Sequence, residues 1–447
     1  MMHIDTNKLL FFLKWLNDDI LAIPAALLFF GISIILTVQT RFLQIRALPT
    51  FARLIVHGLR QQKYEKNSST FGNAINPFHA LFTALGTSIG VGSIVGPGIA
   101  IATGGPGALF WLVIYIFFAS VTKYTEVMFA LYTRTKSDHG DIVGGPMEYL
   151  KAVHPFLAYW YAAIMATLLI GFSSVQSNTL SNIYAIESIP QWITGLVLAI
   201  TTILVLSGGA RRIGAVASKL VPFMCFLYIF FSLFILFKDY SALTAALTLI
   251  KNNIFTPTAP VGAFLGATVF QALHYGMIRG VFISESGLGT ASIPHAMADV
   301  THHSDQGILA MGSTIADIFL SLISGLLTLV TGVWMQGKLS STLVYEVFKI
   351  YTPVAAQIIL LISISLFVLT TVIGNSFNGL QNFTSLCRGR YKCAYLSILI
   401  ACVFMGSVLP TPLVWEAMDT VLVIAAVPNL LGLLYLARKY PHVLKVT

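Results

Sequence analysis

The sequence predicts an all-α polytopic membrane protein with eleven transmembrane helices. Of its 447 residues, 56% are hydrophobic and 10% are charged, whereas soluble domains average about 25% charged residues. The mean hydropathy is +0.82, and the apolar residues form long blocks rather than the alternating segments of a transmembrane β-barrel. The net charge of +9 lies in short loops between these blocks, so no nucleic-acid partner and no separate soluble catalytic domain are expected.

Eleven apolar blocks approach the length of about 20 residues with which a helix crosses a bilayer. The fifth and tenth blocks are the shortest. The predicted spans are residues 18–38, 78–103, 108–131, 155–181, 190–206, 214–237, 261–287, 307–333, 353–374, 394–410 and 417–437. We divide the chain into an N-terminal helix with a basic loop (1–66), a first five-helix repeat (67–240) and a second five-helix repeat (241–447).

The basic residues predict how the chain is oriented in the membrane. If the loop after the first span is cytoplasmic, eighteen lysines and arginines fall on the cytoplasmic side and six on the opposite side. Because positively charged loops stay inside, we predict an external N-terminus and a cytoplasmic C-terminus. The amphipathic, basic segment 51–62 is expected to lie along the cytoplasmic interface.

Glycine interrupts the second and seventh spans more than any others. Residues 83–107 read TALGTSIGVGSIVGPGIAIATGGPG, and residues 262–296 read GAFLGATVFQALHYGMIRGVFISESGLGTASIPHA. These two spans are the first members of the two five-helix sets, and since five is odd, the second set must lie inverted relative to the first. An inverted repeat with a broken first helix in each half is typical of secondary transporters.

A helix broken at mid-membrane frees backbone groups that only a cavity, an ion or a substrate can satisfy. The amino terminus of a half-helix attracts an anionic group such as a carboxylate, and freed carbonyls suit a cation. We predict that the carbonyls of Gly86 and Ile89 bind the ion. The predicted substrate-binding residues at the two breaks are Thr87, Ser88, Gly90, Gly92 and Ser93, followed by Gly280, Ser284, Glu285, Ser286 and Gly287. The alternative is a polar kink or close helix packing through small residues.

Several separate motifs occur in the order found in the alanine/glycine:cation symporter family, and the chain resembles that family over most of its length. The motifs are TRFLQIRALP (40–49), GGPGALFWL (104–112), TKYTEV (122–127), GGPMEYL (144–150), VQSNTL (175–180), RRIGAVASKLVPFM (211–224), GATVFQALHYGMIRGVFISESGLGTASIPHA (266–296) and VPNLLGLLYL (427–436). The resemblance implies the LeuT-type fold, a 5+5 inverted repeat with a discontinuous first helix in each half, plus one extra N-terminal helix.

The resemblance also implies a function, which is Na⁺-coupled symport of a small neutral amino acid such as alanine or glycine by alternating access. Na⁺ is then the coupling ion, and no other metal or cofactor is implied. The expected partners are the amino acid and the lipid bilayer of the bacterial inner membrane, and a monomer is compatible with this mechanism. Thr370 and Thr371 are implied to bind Na⁺ beside the first break, and Gln176 to contact the substrate. The alternative for the threonines is a bond to their own helix carbonyls.

Five positions depart from the usual pattern of that family. Ser93 and Ser284 stand where asparagine is usual, Ser286 replaces alanine, Ile318 replaces threonine and Asn375 replaces tryptophan. We include Asn375 among the predicted substrate contacts. Since these residues surround the expected ligand, the alternatives are a different small solute and coupling to H⁺.

Other polar residues in the spans allow more than one interpretation. Asp317 lies inside the eighth span, where a carboxylate couples an ion or acts as a structural lock. Glu285 shapes the second break, pairs with Arg279 or takes up a proton, unless it lies in a loop outside the membrane. Gln176 and Asn178 are expected to hydrogen-bond to an unwound helix.

Charged pairs and histidines near the predicted cytoplasmic edge have simpler explanations. Lys123 and Glu126 are three residues apart on one helix and are expected to pair. The three histidines of the following loop are expected to be solvated rather than bound to zinc, and they are His295, His302 and His303.

Two other classes of function compete with a transporter. A channel would favour a continuous pore between symmetric subunits, and saturable, stoichiometric uptake would exclude it. An intramembrane enzyme would need a nucleophile with a base or a metal-ligand cluster, and neither is visible in the sequence. The four cysteines show no metal-ligand spacing.

Overall fold

The computed structural model describes residues 6–61, 74–136, 142–255, 269–336, 342–351, 355–387 and 389–446. Within these residues the chain is helical apart from one short antiparallel hairpin and one isolated bridge between Ile75 and Ala298. Eight helices are long and apolar enough to cross a membrane, and Gln191–Leu206 and Lys392–Val408 are shorter apolar helices. The all-helical membrane architecture predicted from the sequence is therefore confirmed.

The N-terminal part of the chain is a long helix followed by shorter ones. A π-helical turn, Leu16–Leu21, joins the first two helices into a continuous rod, which begins earlier than the predicted span 18–38. The elements are α1 (Thr6–Trp15), α2 (Ala22–Gln39), α3 (Leu43–Arg46) and α4 (Leu48–Gln61). The predicted interfacial segment 51–62 is helical as far as Gln61, and its Phe51 ring packs against Gly312.

The next part of the chain begins with two half-helices that are separated by two residues. Three long helices and one shorter apolar helix follow them, connected by a hairpin and short helical segments. The elements are α5 (Pro77–Ser88), α6 (Val91–Gly104), α7 (Gly107–Tyr132), β1 (Thr135–Lys136), β2 (Ile142–Val143), α8 (Pro146–Lys151), α9 (Pro155–Ile186), α10 (Gln191–Leu206), α11 (Gly209–Lys238) and α12 (Tyr240–Asn252).

In the rest of the described chain an interrupted helix is again followed by three long helices and one shorter apolar helix. A 3₁₀ turn at Val333–Gln336 precedes α16, and another at Pro441–Leu444 ends the described chain. The elements are α13 (Val269–Ser284), α14 (Ser292–Ala296), α15 (His303–Val330), α16 (Leu343–Tyr351), α17 (Ala355–Leu386), α18 (Lys392–Val408) and α19 (Thr411–Lys439). Part of the seventh predicted span, residues 261–268, lies outside the described residues.

The broken span α5–α6 lies in the interior of the protein. Its most apolar window is 94% buried by other parts of the chain, against 33% for α11. Helices α11, α13, α15 and α17 pack around it, while α7 contacts α13 and α15, and α9 contacts α17, α18 and α19. Non-helical backbone at membrane depth is tolerated only where protein or a cavity surrounds it, and this packing meets that condition.

We predict that Gly406→Ala destabilises the contact between α18 and α9. A β-carbon at Gly406 would lie 2.7 Å from the carbonyl oxygen and 2.8 Å from the Cα of Ser174. These are backbone atoms that cannot turn aside, so the expected cost is about 1–3 kcal/mol. The measurement is the melting temperature of the purified protein in detergent.

The matched control for this prediction is Gly31→Ala. A β-carbon at Gly31, which lies within α2, has no neighbour within 4 Å. Alanine is the better helix former by about 1 kcal/mol, so its melting temperature should stay level or rise. Equal melting temperatures for the two variants would contradict the close packing at Gly406.

Candidate functional site at two interrupted helices

The first break lies between Ser88, which ends α5, and Val91, which begins α6. Ile89 has φ −82° and ψ 86°, and Gly90 has φ −131° and ψ −155°, so the chain is extended for two residues. Pro97 lies inside α6 and does not interrupt it. The predicted opening of this span is confirmed at Ile89 and Gly90, and the sequence ATGGPG forms the turn from α6 to α7 as predicted.

Side chains from three other helices satisfy backbone groups around the first break. The amide of Val91 donates to Gln176 Oε1 at 3.0 Å, which is the first of the two contacts expected of that residue, a bond to the unwound helix. Thr371 Oγ1 lies 3.0 Å from the carbonyl oxygen of Gly86 and 3.3 Å from that of Ile89. Ser324 Oγ donates to the carbonyl of Ser93 at 3.1 Å. These contacts hold the break open between α9, α15 and α17.

The amide of Gly92 has no hydrogen-bond acceptor among the residues that the structure describes. It belongs to the first turn of α6, where amides have no partner within the helix and the helix dipole favours negative charge. Ser93, in the same turn, directs its hydroxyl back to the carbonyl of Ser88 at 3.4 Å. The start of α6 therefore offers a free amide beside a hydroxyl, which suits a carboxylate.

Thr370 and Thr371 have different surroundings, although the sequence treats them as one pair. Thr371 reaches the first break, whereas the hydroxyl of Thr370 donates to the carbonyls of Leu366 and Phe367 in its own helix, at 2.9 and 3.1 Å. Thr370 therefore follows the alternative interpretation, a hydrogen bond to carbonyls of its own helix. This geometry does not support its predicted role as an ion ligand.

The second break begins where α13 ends at Ser284. Three residues there have positive φ, namely Glu285 (52°), Gly287 (96°) and Gly289 (79°). Such angles cost a residue with a side chain about 1–3 kcal/mol, so Glu285 is held in place by its surroundings. Its Oε2 accepts a hydrogen bond from Thr290 Oγ1 at 2.5 Å. The predicted break in the seventh span is confirmed.

Polar side chains from other helices bind the backbone of the second break. Glu126 Oε1 accepts from the amide of Gly287 at 2.9 Å, and Asn429 Nδ2 donates to the carbonyl of Gly287 at 2.8 Å and to Glu126 at 2.9 Å. Tyr115 and Tyr161 donate to the carbonyls of the two residues that flank Gly287, at 3.1 and 2.7 Å. The second break is therefore fixed on both sides.

The structure corrects two of the predicted contacts of charged residues. Lys123 and Glu126 do not pair with each other, because Lys123 faces Asp317 at 3.7 Å while Glu126 binds the second break. Glu285 does not pair with Arg279, which forms a buried ion pair with Asp419. All these side chains point into the protein, where long-range partners compete with neighbours in sequence.

Two further predictions about polar residues need correction. His295 is fully buried and contacts Gln306 Nε2 through its Nδ1 at 2.6 Å, so it is not solvated. Asn178 bonds to the carbonyls of Gly406 and Leu409 at the end of α18, not to an unwound helix. His302 is exposed, as expected.

Asn375 is a candidate whose polar side-chain atoms the fold does not use. It lies one turn after Thr371 on α17 and therefore on the same face. It is fully buried, and neither its amide nitrogen nor its oxygen has a hydrogen-bond partner in the described part of the chain. Ser286 Oγ is likewise buried and unpartnered there. Such groups are rare in proteins unless water or a ligand satisfies them.

An aromatic layer separates the first break from a cavity on the side of the N-terminal segment. A β-carbon at Gly92 would lie 2.8 Å from the Phe282 ring, which packs on Phe172 and Trp415 with centroids 4.6 and 5.0 Å away. Arg279 stacks over Trp415 at 4.9 Å. The cavity on the other side of this aromatic layer has a volume of about 240 Å³, and residues of α1, α6, α13 and α19 line it.

The sequence did not point to several residues that hold the site together. Asn429, Tyr115 and Tyr161 belong to helices far from the breaks in the chain, and the pair Arg279–Asp419 joins α13 to α19. Asp419 and Glu126 are carboxylates within apolar spans, where a buried charge is costly. That cost is the signal in the sequence from which a partner for each could have been predicted. Among the described residues, no group of three or more histidine, cysteine or carboxylate side chains could hold a metal ion.

Comparisons with known proteins show which family the chain is similar to. The profile of the Sodium:alanine symporter family matches residues 6–446. "Sodium/alanine symporter AgcS" of Methanococcus maripaludis is 33% identical, covering 92% of this chain and 91% of its own length. "Putative sodium/proton-dependent alanine carrier protein YrbD" of Bacillus subtilis is 30% identical (96% and 90%), and "Probable sodium/glutamine symporter GlnT" of the same organism is 29% identical (94% and 87%).

A solved structure shows the same fold at low sequence identity. The crystal structure of MhsT in complex with L-phenylalanine aligns with a TM-score of 0.59 and 14% identity, covering 81% of this chain and 89% of that one. At this level of identity the alignment concerns the course of the helices and not the ligand.

We predict that Gly90→Ala disturbs the first break and that Gly86→Ala does not. A β-carbon at Gly90 would collide with Thr371 Oγ1 and lie 3.1 Å from Gln176 Oε1, whereas at Gly86 the nearest atom of another element is 3.7 Å away. The expected loss for Gly90→Ala is about 1–3 kcal/mol, measured as thermal stability in detergent. If both variants melt like the unmodified protein, the break is not packed as described.

Proposed function

The chain belongs to the sodium:alanine symporter family, and on this premise we propose that it is a Na⁺-coupled symporter of a small neutral amino acid such as alanine or glycine. It is a membrane transporter and not an enzyme. The observation that carries the proposal is the contact of Thr371 Oγ1 with the two carbonyls of the first break, Gly86 and Ile89. Three oxygens from two helices meet there where α5 ends.

The proposed architecture is the LeuT-type arrangement of eleven helices. Each half has a broken first helix and four further helices, the second half is inverted relative to the first, and α1–α2 form the additional N-terminal helix. The N-terminus is proposed to lie outside and the C-terminus in the cytoplasm, in the bacterial inner membrane. The order of broken and continuous helices in both halves supports this arrangement.

The proposed ion site is formed by the carbonyl oxygens of Gly86 and Ile89 and the hydroxyl of Thr371. Oxygen ligands suit hard cations, and the carboxyl end of a half-helix adds partial negative charge. In the structure the Thr371 hydroxyl donates its proton toward these carbonyls. A bound Na⁺ would lie between the three oxygens, with the Thr371 hydroxyl still protonated but turned so that its oxygen faces the ion, and would thereby join α17 to the first break.

The proposed substrate site lies where α6 begins, across from the second break. The free amide of Gly92, with the hydroxyls of Ser88 and Ser93, would hold the substrate carboxylate. The ammonium group would meet oxygens of the second break, including Ser286 Oγ, and Asn375 would supply an amide between them. Thr87, Gly90, Gly280, Ser284 and Gly287 would shape the backbone of the two breaks.

The size of the substrate follows from the aromatic residues around this site. The Phe282 ring already occupies the space in front of Gly92 and is backed by Phe172. A small side chain fits without displacing the ring, whereas a larger one would have to move it. Because Ser93 and Ser284 are shorter than the usual asparagines, a different small solute is the second candidate, and one relative is named a glutamine symporter.

Alternating access would use the aromatic layer as one of its two barriers. Phe282, Trp415 and the ion pair Arg279–Asp419 close the site toward the 240 Å³ cavity. Opening this side requires α13 and α19 to separate. Na⁺ and the amino acid would shift the population toward the closed, loaded state, because they bind it better than either open state.

The experiment that tests the proposal is uptake of labelled alanine, glycine, serine and glutamine into proteoliposomes, with an imposed gradient of Na⁺ or of H⁺. We expect saturable uptake of a small neutral amino acid that the Na⁺ gradient drives. If only the H⁺ gradient stimulates uptake, the coupling ion is H⁺ and not Na⁺. If glutamine is preferred, the substrate is larger than the proposed alanine or glycine. If no cation gradient stimulates uptake of any of the four, the proposed function is wrong.

We predict that Thr371→Val weakens Na⁺ binding and that Thr370→Val does not. The two substitutions are chemically identical and adjacent, but only Thr371 contacts the carbonyls of the first break. Loss of one oxygen ligand costs on the order of 1–3 kcal/mol, so the half-saturating Na⁺ concentration for uptake should rise by a factor of about 5–150. If both variants show the same Na⁺ dependence of uptake, the assignment of Thr371 as an ion ligand is wrong.

A further inference from the structure

Lys123 is a buried lysine, and neither proposed binding site uses it. Its side chain is 1% exposed, and its Nζ lies 3.7 Å from Asp317 Oδ2 and 3.3 Å from Ser313 Oγ. Burying a charge is costly unless another charge or hydrogen bonds compensate it. A lysine kept at this depth therefore needs an explanation in terms of the charges around it.

Three buried carboxylates lie within electrostatic reach of the Lys123 ammonium, and they differ in their hydrogen bonds. Glu126 accepts from the amide of Gly287 and from Asn429, and Glu285 accepts from Thr290. Asp317 is fully buried and has no backbone amide bonded to it among the described residues; the groups beside it are the Lys123 ammonium, 3.7 Å from Oδ2, and the hydroxyl of Ser88. Asp317 is thus the carboxylate that depends on the ammonium for compensation.

Asp317 lies beside Ser88, the last residue of α5. The carboxyl end of α5 carries partial negative charge, and the carbonyls of Gly86 and Ile89 are freed at the same break. Without the lysine, this place would combine a carboxylate, a hydroxyl and a helix carboxyl end, all within the protein interior. Such a combination of oxygens attracts a hard cation.

We propose that the Lys123 ammonium is a tethered cation that occupies the place of a second coupling ion beside Asp317. The inference rests on the proposed sodium-coupled transport and concerns its stoichiometry. With one positive charge supplied by the chain itself, the transporter needs Na⁺ only at Gly86, Ile89 and Thr371. Lys123 is accordingly a positioning residue, which sets the charge at the first break without touching the substrate.

A structural role alone would predict something different from this proposal. A lysine that only stabilises the fold would, when replaced, lower the amount or the melting temperature of the protein and leave the ion requirement unchanged. A tethered cation would, when replaced, leave a carboxylate that must recruit an external cation. The number of Na⁺ ions bound and transported separates the two roles.

The experiment compares the unmodified protein with Lys123→Met, Lys123→Arg and the double variant Lys123→Met/Asp317→Asn. We expect about one Na⁺ per amino acid in the unmodified protein, and a Hill coefficient for Na⁺ near 1 that rises toward 2 in Lys123→Met. Lys123→Arg keeps the charge and Asp317→Asn removes the need for it, so both the single arginine variant and the double variant should return to about 1. The matched control is Lys151→Met, which removes an exposed lysine from a surface pair with Glu148.

Two independent measurements test the number of Na⁺ ions that the protein binds and transports. The flux ratio of ²²Na⁺ to amino acid is measured in proteoliposomes, and Na⁺-dependent thermal stabilisation is measured on purified protein, which needs no substrate. Two Na⁺ ions per amino acid in the unmodified protein, or a Lys123→Met variant with unchanged Na⁺ dependence, would overturn the inference and leave the proposed function standing. Absence of any cation-driven uptake would instead overturn the proposed function.

Discussion

Two helices stop inside the protein, and their freed backbone groups cannot be satisfied by lipid. Much of the structure is arranged around this constraint. Gln176 and Thr371 reach the first break from α9 and α17, and Glu126 and Asn429 reach the second from α7 and α19. Because each of these side chains comes from a different helix, the bonds that satisfy the breaks also fix how the surrounding helices pack.

Hydrogen bonds from side chains satisfy the second break more completely than the first, and this difference suggests different roles for the two breaks. At the second break the peptide groups around Gly287 are bonded by side chains on both sides. At the first break the amide of Gly92 has no partner in the described chain, and one hydroxyl, that of Thr371, serves two carbonyls. We infer that the second break forms the better-fixed side of the proposed site, and that the first break is the part that a ligand would reorganise.

The sequence was sufficient for the membrane class, for most of the helices and for the position of both breaks. These features follow from local patterns, namely apolar length and glycine content. It was insufficient for the partners of Lys123, Glu126 and Arg279, since a buried charge selects its partner across the fold and spacing along one helix does not reveal it. It also could not separate Thr370 from Thr371, because the face that each presents depends on how α17 is rotated.

The central claim is that one ion and one amino acid bind at the same reorganised break. The most direct measurement is equilibrium binding of labelled alanine to the purified protein at increasing Na⁺, together with Na⁺ binding at increasing alanine. Linkage requires each ligand to raise the affinity for the other by the same factor, and the shared break predicts a factor of about 5–150. Alanine binding that does not change with Na⁺ would contradict this account.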